Sequence, residues 1–373
     1  MKKILLINPG LSAGGAEKVL ITLLKNFDYS KYDVELLLIW GGGYYFDKVP
    51  KQVKISVVYP HNDSFRQKID FSLYYKFNIT LFEKMSVLRV LKSKKYDAII
   101  SFLEGRALKG HSYITSRSKR NISWIHTDML KNHYTTDISM RESLERKAYS
   151  LMDRVVFVSK DSMAQFNKLG YSVKNEVVIN NPIEKEIIQA YINKDMKSQN
   201  EAFKIVLCGR LVPVKSYDRM IRIARRLKND GLDFKVLFLG EGPERERLQS
   251  LISELALDDV VSLLGFKSPP YPEMAKADLF VSTSIAEGYP VNICEAICLG
   301  LPIVATRCTG TTEILTDGGD FALLAEQNDD SIYECVKKMM VDNEFRQKCR
   351  ANALRASSRF SIEKTMNEIY QLL

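Results

Sequence analysis

No apolar run in this chain reaches the ~18 residues that would suggest a membrane-spanning helix. The opening, MKKILLINPGLSAGG, places two lysines before an apolar run, but Ile4 to Ile7 is cut at once by Asn8-Pro9-Gly10. That run is too short for the core of a signal peptide. A first buried strand is the better reading, and a cytoplasmic location is expected. Histidine is scarce: His61, His111, His126 and His133 show no H-E-x-x-H or other metal-ligand spacing. The six cysteines lie between Cys208 and Cys349 without a C-x-x-C pair. Cys294 and Cys298 fall at helical spacing in an apolar stretch, so packing is the expected role, with neither metal nor disulfide. No G-x-G-x-x-G follows the first strand, which argues against a nicotinamide site. No nucleic-acid-binding motif accompanies the net charge of +9, so no nucleic acid partner is expected.

What is present is a folded chain of two domains. A length of 373 residues exceeds one typical core, and 46% hydrophobic with 27% charged residues is not a disordered composition. Charge is divided unevenly. Residues 1–200 hold 32 Lys and Arg against 20 Asp and Glu, a balance of +12, whereas residues 201–373 hold 22 against 25, or −3. The halves therefore face different partners, and an anionic membrane surface or anionic acceptor fits the basic one.

The chain is organised around Asp278 to Glu313. Leu279-Phe280-Val281 reads as a strand buried on both faces. A loop from Ser282 to Gly288 leads to Pro290 at a helix start, and Val291 to Leu299 reads as a helix closed by Gly300 and Pro302. Ile303-Val304-Ala305 is the next buried strand. Parallel α/β sheets bind ligands at the carboxyl ends of strands, where this loop lies. Glu287 stands just before the helix and Glu295 more than one turn inside it, about 7 Å along the axis from Pro290. Two acids so placed reach different parts of one extended ligand. Gly288 admits close backbone approach, and the helix start favours anionic or oxygen-rich groups.

Glu287-Gly288-Tyr289-Pro290 followed by Glu295-Ala296 resembles the E-x7-E motif of retaining GT-B glycosyltransferases, glycosyltransferase family 4 in particular. Other stretches extend the resemblance over nearly the whole chain. Gly14-Gly15-Ala16-Glu17, between the strand Lys3–Ile7 and a helix from Ala16 to Phe27, resembles the family's G-G-x-E. His126 ends a strand at Ile122–Ile125, where members place an active-site His. Asn181-Pro182-Ile183-Glu184 resembles the N-P-x-D that ends the first domain, with Glu in place of Asp. Gly209-Arg210-Leu211 with Lys215 is similar to the family's diphosphate clamp, and Gly240-Glu241-Gly242-Pro243 to its G-x-G-P. The loop Thr309-Gly310-Thr311-Thr312-Glu313 departs from the usual G-G-x-x-E, so no role is assigned to Glu313.

Residues 65–96 interleave Phe65, Phe71, Tyr74, Tyr75, Phe77 and Phe82 with Arg66, Lys68, Lys76, Lys84 and Arg89. The spacing of Phe77, Leu81, Met85, Leu88 and Leu91 predicts one helix face turned to the core, while the earlier aromatic-basic part suits a membrane interface.

The pattern of strands alternating with helices in both halves implies an α/β protein with two parallel sheets. The resemblance implies the GT-B fold, two Rossmann-like doubly wound domains facing a cleft. They would be an acceptor-side domain at 1–183 joined by a C-terminal helix at 359–373, a linker at 184–203, and a nucleotide-sugar domain at 204–358. It further implies transfer of a hexose-type unit from a nucleotide-diphosphate sugar, a UDP-sugar above all, with retention, to a glycan or lipid-linked acceptor in surface polysaccharide or glycoconjugate synthesis. Arg210 and Lys215 would stabilise the departing diphosphate, Glu295 would hold ribose, Glu287 would lie by the sugar, and His126 would contact sugar or acceptor. Gly15 and Gly288-Tyr289-Pro290-Val291-Asn292 would line the donor. The chain has no Asp-x-Asp, the usual metal anchor of the other large glycosyltransferase fold. No metal and no cofactor beyond the donor are therefore expected, and the location implied is cytoplasmic or peripheral on the inner membrane face. The alternatives are a GT-B phosphorylase, a sugar-nucleotide epimerase, or a non-catalytic partner that binds a nucleotide sugar.

Overall fold

The computed structural model describes residues 1–60, 65, 68–69, 72–74, 81–138, 140–192, 202–316 and 320–373. The chain divides into two compact units, Met1–Pro182 with Ile362–Leu373, and Ile183–Ser361.

In the first unit, apolar runs form the strands β1 (Lys2–Asn8), β2 (Tyr32–Trp40), β3 (Lys54–Tyr59), β4 (Ala98–Ser101), β5 (Asn121–Ile125), β6 (Arg154–Phe157) and β7 (Glu176–Val178). They pair in parallel in the order β3-β2-β1-β4-β5-β6-β7. Helices cover both faces, so Ile4 to Ile7 and Leu36 to Leu38 are fully enclosed. The order reverses between β1 and β4, which opens a crevice at the carboxyl ends of those strands. The last helix, Ile362–Leu372, belongs to this unit. Tyr370 stacks on Tyr32 at 5.1 Å, and Lys2 Nζ donates to the Leu373 carbonyl at 2.9 Å.

The second unit repeats the plan. Its strands are β8 (Phe203–Cys208), β9 (Phe234–Leu239), β10 (Val261–Leu263), β11 (Leu279–Ser282), β12 (Ile303–Thr306) and β13 (Ala322–Ala325), all parallel, in the order β10-β9-β8-β11-β12-β13. The reversal lies between β8 and β11. Two doubly wound parallel sheets are the architecture expected from the sequence. Strand β13 was not foreseen, because Ala322-Leu-Leu-Ala325 is short and made of residues that favour helix.

Two local expectations need correction. The stretch 184–203, expected as linker, contributes the helix Lys185–Gln189 to the second unit, where Ile188 joins the core around Phe280 and Ile297. Residues 193–201 of that stretch lie outside the described residues, as do Arg66, Phe71, Tyr75, Lys76 and Phe77. The helix Leu81–Leu91 is rotated from its expected face. Leu81 and Met85 are exposed, while Glu83, Ser86, Val87 and Leu91 are buried. The reason is a tertiary charge: Lys109 Nζ lies 2.6 Å from Glu83 Oε2, and both side chains are enclosed. An unpaired buried carboxylate is costly, so the pair decides the rotation.

Candidate active site

The loops that carry the acids and cations leave the sheet of the second unit at its point of reversal. After β8 comes Gly209 to Ser216, including a single 3₁₀ turn at Pro213–Lys215. After β11 comes Thr283 to Pro290, and Pro290 caps the helix Val291–Cys298. Backbone and hydroxyl bonds tie the two loops together. The Ile285 N–H donates to the Val214 carbonyl at 2.9 Å, and Thr283 Oγ1 donates to the Lys215 carbonyl at 2.8 Å.

This sewing brings Lys215 and Glu287 side by side. Lys215 Nζ is 2.5 Å from Glu287 Oε1, and the two side chains are only 16% and 12% exposed. Ser284 Oγ donates to the same carboxylate oxygen at 2.6 Å. Ser284 is itself fixed, since Thr306 Oγ1 and Gln327 Nε2 both donate to its carbonyl. Asn292, in the first turn of the helix, donates from Nδ2 to the Cys208 carbonyl at 2.6 Å and so ties helix to β8. Arg210 is exposed on the same loop as Lys215.

Glu295 is only 4% exposed, in the second turn of the helix. Its Oε1 lies 3.4 Å from the Tyr271 hydroxyl. Tyr289 and Val291 pack their side chains against the core, so these two positions offer a ligand mainly backbone. Gly288 is fixed by another loop: a Cβ on Gly310, whose φ is +70°, would stand 2.1 Å from the Gly288 carbonyl. Likewise a Cβ on Gly240 would strike the Gly209 carbonyl. The glycines of the departing motif and of G-E-G-P are thus required by close packing of loop on loop.

In the first unit, Gly15 begins the helix Gly15–Lys25, and an added Cβ there would meet nothing within 4 Å. That open helix start suits an anionic group. His126 follows β5, its ring between Phe102 at 4.7 Å and Trp124 at 6.0 Å. Neither ring nitrogen makes a hydrogen bond of normal geometry. Burial pushes the imidazole down to about 3, against a small opposing influence of the Phe102 backbone. His126 is neutral at physiological pH, with both ring nitrogens enclosed by the protein. Its backbone N–H donates to Glu104 Oε2 at 3.0 Å, and the Tyr134 hydroxyl donates to Glu104 Oε1 at 2.8 Å. Burial raises the Glu104 carboxyl above its ordinary range.

The family described as Glycosyltransferase Family 4 matches residues 13–186, and Glycosyl transferases group 1 matches residues 189–356. The chain is a GT-B glycosyltransferase. A Campylobacter jejuni relative, N-acetylgalactosamine-N,N'-diacetylbacillosaminyl-diphospho-undecaprenol 4-alpha-N-acetylgalactosaminyltransferase, is 25% identical over 100% of both chains. An uncharacterized glycosyltransferase of Haemophilus influenzae is 25% identical over 99% of both. Among solved structures, Anabaena HepE in complex with UDP-glucose matches with a TM-score of 0.77 at 20% identity, covering 100% of this chain and 99% of that one. Sucrose-phosphate synthase from Thermosynechococcus elongatus matches with a TM-score of 0.81 at 15% identity, covering 100% and 98%. These structures share the fold.

Sequence reasoning on this glycosyltransferase missed Ser284, Gln327, Glu104 and Tyr134. For Ser284 a signal existed: a hydroxyl three residues before an acid in a loop forms local side-chain bonds readily. Gln327 and Tyr134 are 43 and 30 residues from their partners, and nothing local marks them.

Proposed function

We propose that the protein transfers a hexose-type sugar from a UDP-sugar to a glycan or lipid-linked acceptor in surface polysaccharide or glycoconjugate synthesis, with retention and without a metal. The observation that carries this reading is the Lys215–Glu287 pair at the carboxyl ends of neighbouring strands β8 and β11. Lys215 and the exposed Arg210 supply positive charge for a diphosphate, and Glu287 supplies an acceptor for sugar hydroxyls. Donor binding exchanges the partner of Lys215 from carboxylate to phosphate, which frees Glu287 for the sugar. Glu295 holds ribose, and the backbone from Gly288 to Asn292 lines the donor. The anomeric C–O bond breaks with its electron pair on the diphosphate. The acceptor oxygen bonds to the anomeric carbon on the same face, and its proton passes to a leaving phosphate oxygen. Neutral His126 contacts sugar or acceptor by hydrogen bonding.

The lipid-linked acceptor is supported by the name of the Campylobacter relative, and the UDP-sugar by the ligand in the HepE complex. A basic first half suits work at the inner face of an anionic membrane. The test is a panel of nucleotide sugars screened for protection against heat unfolding, followed by turnover in excess EDTA. The true donor at about 100 times its Kd adds about 2.7 kcal/mol. Turnover that dies in EDTA and returns with magnesium or manganese contradicts the metal-free reading. A sugar phosphate or an epimerised nucleotide sugar as product, or donor binding with no turnover, contradicts transfer.

A further inference from the structure

The helix Leu81–Leu91 buries two polar residues, Glu83 and Ser86, and exposes three large apolar ones, Leu81, Phe82 and Met85. Glu83 and Ser86 are 3% and 2% exposed, whereas Leu81, Phe82 and Met85 are 58%, 47% and 53% exposed. The inner side is fully accounted for. Glu83 pairs with Lys109, whose ammonium also sits 3.5 Å from the Tyr74 ring centroid, and the Tyr113 hydroxyl donates to Glu83 at 3.3 Å. Val87 and Leu91 enter the core with Leu5, Ile7 and Ile99. The rotation is therefore held by a partnered charge and by core packing together. Leu81, Phe82 and Met85, at spacings of one, three and four, share what remains outside.

Cations surround that apolar face. Lys84 and Arg89 of the same helix are exposed, and so are Lys92 and Lys95 just past its end. From residue 65 to 96 the chain carries eight Lys and Arg against two acids, Asp70 and Glu83, and the charge of Glu83 is neutralised inside. Phe65 and Ile69, 80% and 42% exposed, flank exposed Lys68 a little earlier. Large apolar groups standing together in water mark an interaction surface. An apolar strip with an excess of cations beside it matches a bilayer interface, where the apolar groups enter the headgroup–acyl boundary and the cations meet phosphate. A second copy fits worse, since a symmetric contact would set the same cations against themselves.

We infer that the outer face of this helix, with Leu81, Phe82 and Met85 at its centre and Lys84 and Arg89 beside them, docks on a bilayer of anionic phospholipid. The inference deepens the membrane-side part of the proposed function and rests on that reading only for its purpose. Its test uses no donor and no acceptor, so its failure leaves glycosyl transfer standing.

The experiment is flotation of the full chain with vesicles of equal parts phosphatidylglycerol and phosphatidylcholine, and with phosphatidylcholine alone. The wild-type chain floats with the anionic vesicles, less so in high salt, and stays behind with the neutral ones. Phe82→Ser/Met85→Ser, which keeps every charge, lowers the partition by at least about tenfold. Lys84→Ala/Arg89→Ala, which keeps every apolar group, lowers it by about 30-fold. All four side chains are exposed, and an unchanged thermal midpoint confirms that each variant is folded. The inference is overturned if the wild type floats with neither vesicle or equally with both, or if either folded variant floats like the wild type. A wild-type dimer that Phe82→Ser/Met85→Ser dissociates, without flotation, overturns it in favour of a second copy.

Discussion

Lys215 Nζ and Glu287 Oε1 are 2.5 Å apart, held by two loops that leave adjacent strands and are bonded to each other through Thr283 and Ile285. The cation proposed for phosphate and the acid proposed for sugar thus pair with one another in the free protein. Lys215→Ala removes the cation and leaves the backbone bonds in place. It lowers kcat by roughly 100- to 1,000-fold, the usual loss when one preorganised charge is removed from a developing anion. Steady-state kinetics with saturating donor checks it, and a loss below tenfold contradicts the role.

Glu287 and Glu295 separate in binding. Glu295→Gln loses charge-assisted bonds to ribose worth roughly 1.5–3 kcal/mol each, about a 10- to 150-fold fall in kcat/KM. Part of that fall appears as weaker binding of the bare nucleoside diphosphate. Glu287→Gln leaves nucleoside diphosphate binding nearly intact and impairs transfer. Calorimetric titration of both variants with the nucleotide alone decides. Equal losses, or a loss confined to Glu287→Gln, reverse the assignment.

Gly310 is a steric requirement. An added Cβ would stand 2.1 Å from the Gly288 carbonyl at a φ of +70°. Gly310→Ala destabilises the second unit by about 2 kcal/mol or more and displaces the Glu287-Gly288 loop. Thermal unfolding and nucleotide affinity both fall. An unchanged midpoint contradicts the packing described.

Stability of the first unit falls on mild acidification. His111 is enclosed, with Nε2 3.0 Å from Asn121 Oδ1 and Nδ1 3.1 Å from Ser101 Oγ. Burial pushes it down to about 4, opposed by the Asn121 bond, and burial pushes His126 down to about 3. Below pH ~6.5 the unfolded chain binds protons that the folded chain refuses, so the contribution is complete above that pH and is lost as pH falls toward 4. The loss is on the order of 1 kcal/mol per histidine per pH unit. Both tryptophans, Trp40 and Trp124, lie in this unit, so urea unfolding followed by tryptophan fluorescence at pH 7 and pH 5 isolates it. Equal stability at the two pH values refutes the burial of neutral imidazoles.

The fold was legible because a parallel sheet covered on both faces writes its strands as short apolar runs, such as Ile4–Ile7 and Leu279–Val281. The positions of Glu287, Glu295, Arg210 and Lys215 beyond the ends of β8 and β11 were legible because they follow apolar runs and flank glycines or a helix start. The direct pairing of Lys215 with Glu287 was not, since 72 residues separate them and only the strand order makes their loops neighbours. The outward face of Leu81–Leu91 was misread for a similar reason. Periodicity ranks residues by hydrophobicity, and the partner that draws Glu83 inward, Lys109, lies on another helix.

The most direct test of the account is transfer itself. The chain, in excess EDTA, is given an α-linked UDP-sugar with an isotope label in the sugar and a lipid-linked glycan acceptor, and the product is analysed by NMR. The account predicts one labelled sugar transferred per UDP released, joined in the α configuration, and near-complete loss of transfer in Glu287→Gln. A β-linked product, UDP release without labelled acceptor, or full activity in Glu287→Gln would contradict it.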